Sequence, residues 1–511
     1  MNNQEKAKFI IGKLLNYGVK EFCVCAGARN TPLLQALSEE HQAHVKSFFN
    51  ENSAAFYSIG RIKKTGHPSA VITTSGSAVA ELLPAVMEAY FLNYPLIVVT
   101  ADRPVEFRGS GAPQTVDQQH IFNSHCMKSY DLVNDDFEEL NFLVPGGPIH
   151  INVCLEEPNV QSFNQDLNSF DGFSEDRPMK KPLVILSQLE QKDKPVVLDF
   201  LQKHPLPVLV EAHSNLHNEL ADYPHRIYSY EGFIENYIDL FDGVIRIGGV
   251  PTLRLWRDLE ARKIRVKNFS RVSFSGLSYL KDSPFTLDSL NEFSSISESS
   301  WKEQEISEIL FKNRKWKEKV DQVLDLYPLS EQALFAQILH LIKTENLFVS
   351  NSSPIRILDF CLKAENTLAG VYSSRGTNGI DGQVSQSMGL VSESEVLVSV
   401  LGDLTCLYDL SGFWPLRSFN RHLKSQFCQI VVNNEGGELF NKIFSNRGIS
   451  PLTQDWLRVG HELSFKGIAD MYELDYVRTN QVIDLKGGQF IELRPDNDQT
   501  RKVWDELKSF V

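Results

Sequence analysis

The chain has 511 residues, too many for one hydrophobic core, so two to four domains are predicted. Its net charge of −14 argues against a nucleic-acid partner or an anionic membrane surface, and no apolar run approaches the ~20 residues of a transmembrane helix. Seven scattered cysteines form no CxxC pair, which predicts a cytoplasmic protein without a disulfide framework or a zinc site.

The first segment alternates strand and helix patterns, which predicts a parallel α/β sheet. A helix is expected to begin at Pro32 with Asn30 or Thr31 as its cap, and a single helix is predicted over Ala78–Phe91. The predicted strands are Glu21–Cys25, Ser47–Phe49, Ala70–Thr74, Pro95–Val99 and Ile149–Val153, the last of which is expected to close the sheet.

Two further α/β segments follow a predicted linker at 160–182, which is rich in Ser, Asn, Asp, Gly and Pro. The middle segment contains Gly248-Gly249-Val250-Pro251, which is not a dinucleotide fingerprint and gives a nucleotide site little support. The clearest strands of these two segments are Pro207–Glu211, Gly243–Gly248, Leu347–Val349, Val396–Leu401, Gln429–Val432 and Phe490–Leu493.

Polar residues follow two of these strands directly. The strand Val396–Leu401 runs into Gly402-Asp403-Leu404-Thr405, and Gln429–Val432 runs into Asn433-Asn434-Glu435-Gly436-Gly437. Open α/β sheets bind ligands at strand carboxyl ends, and carboxylate and amide oxygens suit Mg²⁺. Gly436 would let the backbone approach a bulky anion closely. The alternative is structural: an aspartate that caps a helix, and a glycine-rich loop.

These two stretches resemble the Gly-Asp-Gly…Asn-Asn motif that binds metal and diphosphate in thiamine-diphosphate (ThDP) enzymes. Leu404 departs from that motif but matches the branch of 2-succinyl-5-enolpyruvyl-6-hydroxy-3-cyclohexene-1-carboxylate synthases of menaquinone biosynthesis, which also read Asn-Asn-x-Gly-Gly-x-Ile/Leu-Phe. The resemblance implies a metal site for Mg²⁺ or Mn²⁺ and a surrounding cofactor site. The metal site would use Asp403, Asn434 and Gly436, and the cofactor site would add Leu404, Thr405, Leu439 and Phe440.

Two apolar predictions keep an alternative of equal weight. The resemblance implies that Ile380 wedges between the two rings of the cofactor, but its neighbours fit a core residue equally well. Leu439, Phe440 and Ile443 would wall the pocket, or would form the core face of an amphipathic helix.

Glu51 closes a short apolar strand and precedes a helix, where a carboxylate is ordinarily favoured by the helix dipole. Related synthases read Asp-Glu-Arg-x-Ala-Ala where this chain reads Asn50-Glu51-Asn52-Ser53-Ala54-Ala55. The resemblance therefore implies that Glu51 binds N1′ of the cofactor's aminopyrimidine, controlling its tautomer, and is the catalytic carboxyl group.

Substrate-binding residues are implied in the first segment by three further matches. The turn Ala26–Pro32 resembles Pro-Gly-Ser-Arg-Ser-Thr-Pro and keeps Arg29, and Thr100–Pro104 matches Thr-Ala-Asp-Arg-Pro without change, which implies Arg103. The stretch Gly111-Ala112-Pro113-Gln114 resembles Gly-Ala-Asn-Gln, so Gln114 is retained although Pro113 replaces an amide side chain.

Four more substrate contacts are implied in the later segments. Asn351–Arg356 resembles Asn-Ser-x-x-x-Arg, which implies Ser352 and Arg356, and Ser374–Gly382 resembles Asn-Arg-Gly-x-x-Gly-Ile-Asp-Gly, which implies Arg375. Arg254 stands where the family often has Lys. Five arginines suit substrates with two carboxylates each, because guanidinium groups bind carboxylates bidentately.

The sequence is therefore identified as a member of this synthase branch. The fold expected is α/β, with three doubly wound parallel-sheet domains: pyrimidine-binding (1–175), central (183–325) and diphosphate-binding (329–511). The reaction implied is decarboxylation of 2-oxoglutarate on ThDP and 1,4-addition of the resulting carbanion to isochorismate, in a homodimer or homotetramer. Two alternatives stay open: another ThDP enzyme, such as an acetohydroxyacid-synthase-like carboligase or a 2-oxoacid decarboxylase, and a non-catalytic α/β scaffold.

Overall fold

The computed structural model describes residues 1–133, 140, 146–156, 179–228, 237–252, 255–262, 264–272, 274–280, 285–292, 300–363, 365–439 and 449–509. These residues form three sheets in which neighbouring strands pair in parallel, joined mainly by helices. The predicted fold class, three doubly wound parallel-sheet α/β domains, is confirmed. The three domain boundaries stay a prediction, and most of the predicted linker lies outside the described residues.

The first of two compact units comprises Met1–Gln161, Gly376–Asp381 and Glu435–Glu462. Its strands are β1 (Glu21–Cys25), β2 (His44–Phe48), β3 (Ser69–Thr73), β4 (Leu96–Asp102), β5 (Lys128–Leu132) and β6 (Ile149–Cys154), in the order β2-β1-β3-β4-β6-β5. The prediction that Ile149–Val153 closes the sheet is wrong, because β5 takes that edge. This strand, Lys-Ser-Tyr-Asp-Leu, is half polar, as edge strands often are, and so gave no apolar signal.

The helices of the first unit are Asn3–Asn16, Thr31–Ser38, Glu51–Thr65, Ser77–Ala80, Leu83–Phe91 and Pro451–Arg458. The single helix predicted over Ala78–Phe91 is wrong, because the chain breaks it at residues 81 and 82. Pro84 lies in the first turn of the second helix, where its missing N–H costs nothing, whereas inside a continuous helix it would lose a hydrogen bond and clash. The helices cover both faces of the sheet, and every residue of β3, β4 and β6 is buried.

The second compact unit comprises Ser162–Arg375, Gly382–Asn434 and Leu463–Val511 and contains the other two sheets. The middle sheet has strands β7 (Pro182–Leu186), β8 (Val208–Val210), β9 (Arg226–Ile227), β10 (Gly243–Ile247) and β11 (Val266–Phe269), in the order β11-β10-β7-β8-β9. The third sheet has β12 (Asn346–Val349), β13 (Gly370–Tyr372), β14 (Leu397–Gly402), β15 (Phe427–Val432), β16 (Asp475–Thr479) and β17 (Gln489–Leu493), in the order β13-β12-β14-β15-β17-β16.

The two sheets of the second unit share a hydrophobic core. Side chains of the middle sheet, such as Leu183 and Ile185, belong to the same cluster of buried residues as Leu347 and Val400 of the third sheet. The helices of this unit are Lys194–Lys203, Leu255–Arg262, Glu303–Leu326, Glu331–Leu341, Ser353–Cys361, Gln383–Gly389, Asp403–Tyr408, Arg421–Lys424, Lys466–Tyr472 and Asn497–Ser509. No helix in the described part of the chain is long and apolar enough to cross a membrane.

Candidate functional site

Glu51 is the first residue of the helix that follows β2, and its side chain is buried, with 7% of its surface exposed. The preceding residue, Asn50, caps the helix by accepting a hydrogen bond from the backbone N–H of Ser53 at 2.8 Å. Glu51 instead accepts a hydrogen bond from the Thr73 hydroxyl at 3.4 Å, at the end of β3. Glu51 thus lies in the first turn of the helix, but its carboxyl group is buried against the end of β3 while its neighbour does the capping.

The turn after β1 is held by Asn30, whose role differs from the predicted one. Asn30 occupies the N-cap position, but its side chain makes no capping bond. It accepts a hydrogen bond from Gly27 N–H at 2.9 Å and donates one to the Cys25 carbonyl at 2.9 Å. This closed turn places Arg29, which is buried and donates to the Leu155 carbonyl at 3.0 Å.

Arg103 follows β4 and is also buried. Its Nε donates to the Pro113 carbonyl at 3.1 Å, and its guanidinium group lies 5.2 Å from the centre of the Phe107 ring. Pro113 replaces an amide side chain of the family motif, yet its backbone carbonyl still provides an acceptor. The neighbouring Gln114 has a positive φ of 56°, a conformation that non-glycine residues seldom adopt and that often marks functional sites.

The segment Gly376–Asp381, which carries Ile380, packs within the first unit. The backbone N–H of Gln114 donates to the Thr377 carbonyl at 3.0 Å, and the Ser77 hydroxyl donates to Asp381 at 2.6 Å. Ile380 is half-buried in this segment. The structure therefore brings Ile380 and Gln114 to one group of loops, beside the Ser75-Gly76-Ser77 turn that follows β3.

Gly436 is required by backbone crowding. Its φ is +134°, and a Cβ there would lie 2.6 Å from the Arg458 carbonyl oxygen. The backbone of Gly436 thus approaches the backbone of Arg458 closely, within the same unit. The Gly436 carbonyl accepts a hydrogen bond from Glu438 N–H at 2.9 Å. Leu439 is half-buried, whereas Phe440 and Ile443 lie outside the described residues.

Asp403 lies in the second unit, where it is the first residue of the helix after β14 and is almost fully buried. Gly402 takes the N-cap position, so the alternative that Asp403 caps the helix is not what the structure has. One carboxylate oxygen accepts the Leu404 N–H at 2.6 Å, and Thr405 is buried beside it. One oxygen of the aspartate is thus bound by the first turn of its own helix.

Asn434 follows β15, the strand next to β14, and the last register pair of the two strands joins Gly402 to Val432. Its side-chain NH₂ donates to Glu331 at 3.3 Å, which orients the amide and assigns Oδ1 as the atom with metal-ligand chemistry. Asn433 points elsewhere, donating to Glu492 at 2.9 Å. The described residues contain no group of three or more His, Cys, Asp or Glu side chains that could hold a metal. The mixed oxygen set of Asp403 and Asn434 fits Mg²⁺ or Mn²⁺, which bind few protein ligands together with phosphate oxygens.

A pair of cations lies at the same edge of the third sheet. Arg375 follows β13 and donates from Nη1 to Asn351 Oδ1 at 3.0 Å, while Asn351, which follows β12, donates to the Ser374 carbonyl at 2.7 Å. Burial lowers the pKa of Arg375 to about 10, and the positive charge of Arg356 acts in the same direction. The carboxyl groups of Glu211 and Asp359 act on this pKa in the opposite direction, so Arg375 lies in the fields of both carboxyl groups and a second cation.

Ser352 precedes the helix Ser353–Cys361 with a φ of 72° and a ψ of −128°, which is strained for a residue with a Cβ. The substitute for the family's lysine, Arg254, lies outside the described residues. Across the third sheet, strands β13, β12, β14 and β15 are consecutive neighbours, and their carboxyl ends carry the predicted residues of this unit in turn. These residues are Arg375, Ser352 with Arg356, Asp403 with Leu404 and Thr405, and Asn434.

Two buried networks escaped the sequence analysis, because their members are far apart along the chain. In the first unit, Asn152 donates to Asp102 at 3.0 Å and to Asp131 at 2.8 Å, and Gln118 donates to Asn152 at 2.8 Å while accepting from Gly76 N–H at 3.2 Å. Burial raises the pKa of Asp102, although Asn152 and Arg108 oppose that shift. In the second unit, Glu211, Thr252 and Asp359 form a similar network. Only the position of Asp102 beside Arg103 was a signal in the sequence.

Known proteins are similar to this chain over nearly its whole length. Residues 5–121 match the family described as "Thiamine pyrophosphate enzyme, N-terminal TPP binding domain". A 2-succinyl-5-enolpyruvyl-6-hydroxy-3-cyclohexene-1-carboxylate synthase of Bdellovibrio bacteriovorus is 36% identical over 537 aligned positions, covering 99% of both chains. Synthases with the same name from Akkermansia muciniphila (29% identical, 95% of both chains) and Staphylococcus aureus (28%, 94% of this chain and 91% of the relative) are also similar.

Proposed function

Because this chain belongs to the family of 2-succinyl-5-enolpyruvyl-6-hydroxy-3-cyclohexene-1-carboxylate synthases, a ThDP-dependent family of menaquinone biosynthesis, we propose that it catalyses that synthesis. The reaction decarboxylates 2-oxoglutarate and joins the remaining four-carbon unit to isochorismate by 1,4-addition. Both substrates are small molecules with two carboxylates each.

The observation that carries the proposal is the edge of the third sheet. Four neighbouring strand ends there carry two groups of residues: the oxygen donors Asp403 and Asn434, for which we propose metal binding, and the cationic half of the site, Arg356 and Arg375. A diphosphate with its metal suits the first group and a substrate carboxylate suits the second. Two neighbouring guanidinium groups suit a substrate with two carboxylates better than a small, less anionic one, which favours this reaction over an acetohydroxyacid-synthase-like activity.

The proposed roles of this chain's residues rest on the family motifs that they match. Asp403 and Asn434 supply metal ligands, with the Gly436 carbonyl as the third, and Leu404, Thr405, Leu439, Phe440 and Ile380 surround the cofactor. ThDP, when bound, supplies the electron sink for decarboxylation and carbon–carbon bond formation. The carboxyl group of Glu51 would share a proton with N1′ of the cofactor. Its buried position after β2 supports this role.

Substrate carboxylates are proposed to bind arginines at loop positions, assisted by neutral donors. Charge-assisted bidentate bonds fix a carboxylate in orientation as well as position, which brings reacting carbons into attack geometry. The residues proposed for this role are Arg29, Arg103, Gln114, Arg254, Ser352, Arg356 and Arg375.

The metal, the assembly, the domain boundaries and the compartment are parts of the same proposal. Mg²⁺ or Mn²⁺ is expected, since both accept mixed oxygen donors. A homodimer or homotetramer is expected from the family, with pyrimidine-binding, central and diphosphate-binding domains at 1–175, 183–325 and 329–511. All seven cysteines are free thiols, which supports a cytoplasmic location. Light scattering of the active enzyme tests the assembly, and a fully active monomer would contradict it.

One assay tests the function directly. The purified protein is incubated with ThDP, Mg²⁺, 2-oxoglutarate and isochorismate, and the product is identified by mass spectrometry. The proposal predicts the succinyl-enolpyruvyl-cyclohexene product and no comparable turnover when pyruvate replaces 2-oxoglutarate. Equal or faster turnover of pyruvate would favour the other class of ThDP carboligase. Absence of ThDP binding in calorimetry would favour a non-catalytic scaffold.

A further inference from the structure

Two carboxyl groups of the second unit meet at one hydroxyl group. Glu211 follows β8, Thr252 follows β10, and Asp359 lies in the helix Ser353–Cys361; all three are buried. Thr252 approaches Glu211 Oε1 with its backbone N–H at 2.8 Å and with its hydroxyl at 2.9 Å. The same hydroxyl makes a short contact with Asp359 Oδ2, and the other oxygen of Asp359 accepts from Ala212 N–H at 2.8 Å.

The hydroxyl group of Thr252 has one proton, so it can donate to only one of the two carboxyl groups. If both were ionised, the other contact would join a hydroxyl lone pair to a carboxylate lone pair inside a dry region, which is repulsive. Both contacts are favourable only if one carboxyl group is protonated and donates to the hydroxyl oxygen. This geometry favours one proton shared within the pair Glu211–Asp359.

The charges around this pair are cationic. The fields of both Glu211 and Asp359 act on Arg375 in the direction that favours its charged form, whereas Arg356 opposes it. The charge of Glu211 also acts on Arg246 of β10. The Nε2 atom of His213 lies 3.8 Å from Oε2 of Glu211. Burial, with the charge of Arg375, lowers the pKa of His213 to about 3, so that histidine is neutral near neutral pH.

We propose that Glu211 and Asp359 hold one proton between them across Thr252, and that this singly charged pair positions Arg375 to bind a substrate carboxylate. The carboxylate ligand rests on the proposed function. The single negative charge of the pair holds the guanidinium group of Arg375 against Asn351. Because Arg356 is also positive, the region still attracts a substrate carboxylate. The same hydrogen bonds join the loop after β10 to the helix that carries Arg356, so the pair also fixes the spacing of the cationic half of the site.

The shared proton has a consequence for pH dependence. Burial raises the pKa of Glu211, with the Asp359 charge in the same direction, and burial raises the pKa of Asp359. As pH rises through the raised pKa of the pair, the shared proton is lost and the pair gains a second negative charge. The contact at Thr252 then becomes repulsive, and the site attracts an anion at Arg375 less strongly. Burial lowers the pKa values of Arg375 and Arg246 only to about 10, so below that pH both arginines stay charged.

The kinetic test compares pH profiles. In the wild-type holoenzyme, KM for 2-oxoglutarate should rise above the pair's pKa by up to about tenfold per pH unit, while ThDP affinity stays constant. Glu211→Gln and Asp359→Asn each leave one permanent amide donor for Thr252, so each should flatten that rise. The matched control is Asp193→Asn, which removes a buried carboxylate of the same unit that pairs with Arg271. It should lower stability and keep the wild-type slope. A slope unchanged in both test variants overturns the proposal.

A second measurement does not depend on turnover. Infrared difference spectra at neutral pH should show the C=O stretch of a protonated carboxyl group in the wild type that Glu211→Gln or Asp359→Asn removes; a spectrum unchanged by both variants overturns the shared proton. If this band is present but the substrates are not turned over, the proposed function fails separately. Crystal structures at neutral and alkaline pH then decide the positioning role. The bond from Arg375 to Asn351 should be intact at neutral pH and lost at alkaline pH, and an unmoved arginine contradicts the role.

Discussion

The first and third sheets have the same topology and different chemistry. Numbered within each sheet, both run in the order 2-1-3-4-6-5, so corresponding loops follow corresponding strands. After the second strand, the first sheet has buried Glu51 and the third sheet has Arg375. After the fourth strand, the first has Arg103 and the third has Asn434. The same strand order thus carries the proposed proton-controlling carboxyl group in the first sheet, and the proposed metal ligands beside cations in the third.

This contrast shows that the strand order decides where polar groups can gather, whereas the loop residues decide what they do. In both sheets the inner strands are largely buried and polar residues follow their carboxyl ends. If the proposed division is correct, changes in the first sheet should affect proton transfer, and changes in the third should affect metal or substrate binding.

The largest expected effect is at Glu51. Glu51→Gln keeps the size of the side chain but removes its exchangeable carboxyl proton, so hydrogen–deuterium exchange at C2 of bound ThDP should slow by ~10²–10⁴-fold. ThDP should still bind. The matched control is Asn50→Ala, which removes the helix cap and should cost ~1 kcal/mol of stability without slowing exchange. Normal exchange together with a lower melting temperature in Glu51→Gln would reduce Glu51 to a structural role.

The next effect belongs to the third sheet. Asp403→Ala removes the carboxylate of the proposed metal site, and metal-dependent ThDP affinity measured by calorimetry should fall by at least about 100-fold, since even indirect partners of metal ligands cost 10- to 100-fold. Asp409→Asn is the control, because Asp409 lies just beyond the same helix and accepts hydrogen bonds from Ser385. Undiminished affinity in Asp403→Ala would exclude the proposed metal site.

The cationic half of the third sheet should act on substrates alone. Arg375→Ala should lower kcat/KM for 2-oxoglutarate and isochorismate by roughly 10- to 150-fold. This range corresponds to the loss of about 1.5–3 kcal/mol, the usual contribution of a hydrogen bond to a charged group. ThDP affinity should not change. Arg417→Ala is the control, because Arg417 lies over the exposed Trp414 ring at 4.1 Å. Unchanged kinetics for both substrates would remove Arg375 from the substrate site.

The last expected effect is on stability, is small per pH unit, and distinguishes the sixth strands of the two sheets. Burial lowers the pKa of His150 in β6 to about 3, so between its ordinary value of 6.5 and about 3 the unfolded chain binds more protons than the folded one. Stability of the first unit should therefore fall as pH drops below 6.5, by about 1.4 kcal/mol per pH unit.

Glu492 in β17 behaves differently. Burial alone would raise its pKa, but hydrogen bonds from Tyr476, Phe465 and Asn433 lower it below 4.5. The stabilisation that Glu492 provides is therefore present above its ordinary pKa of 4.5. It is lost only as pH falls through the lowered pKa of the folded protein. Hydrogen exchange of peptides from the two strands should show β6 weakening at milder acidity than β17, and His150→Gln should abolish that difference. Equal acid sensitivity in the variant and the wild type would contradict this assignment.

Much of the fold and part of the site could be predicted from local patterns. Buried inner strands have apolar runs, so β1, β3, β6, β10, β12, β14 and β17 were found with both ends within about one residue, whereas β4 and β15 were found with one end two or three residues short. The polar ends of those runs gave Asp403, Asn434 and Arg103, because a strand's carboxyl end is visible in the sequence. Edge strands β5 and β16 contact one neighbour and carry polar residues, so the same pattern could not reveal them.

The sequence by itself determined the class of fold, the order of the strand ends and, through its motifs, the family, because each depends on residues adjacent along the chain. Only the tertiary structure decided that Asn50 caps the helix while Glu51 is buried, and that Asn434 is oriented by Glu331, 103 positions away. It also decided that Asp359 accepts a hydrogen bond from Ala212 after β8, 147 positions away along the chain. Asp359 and Glu211 therefore contact the same hydroxyl group, that of Thr252. A shared proton depends on distances between side chains, and those distances exist only after distant segments have packed together.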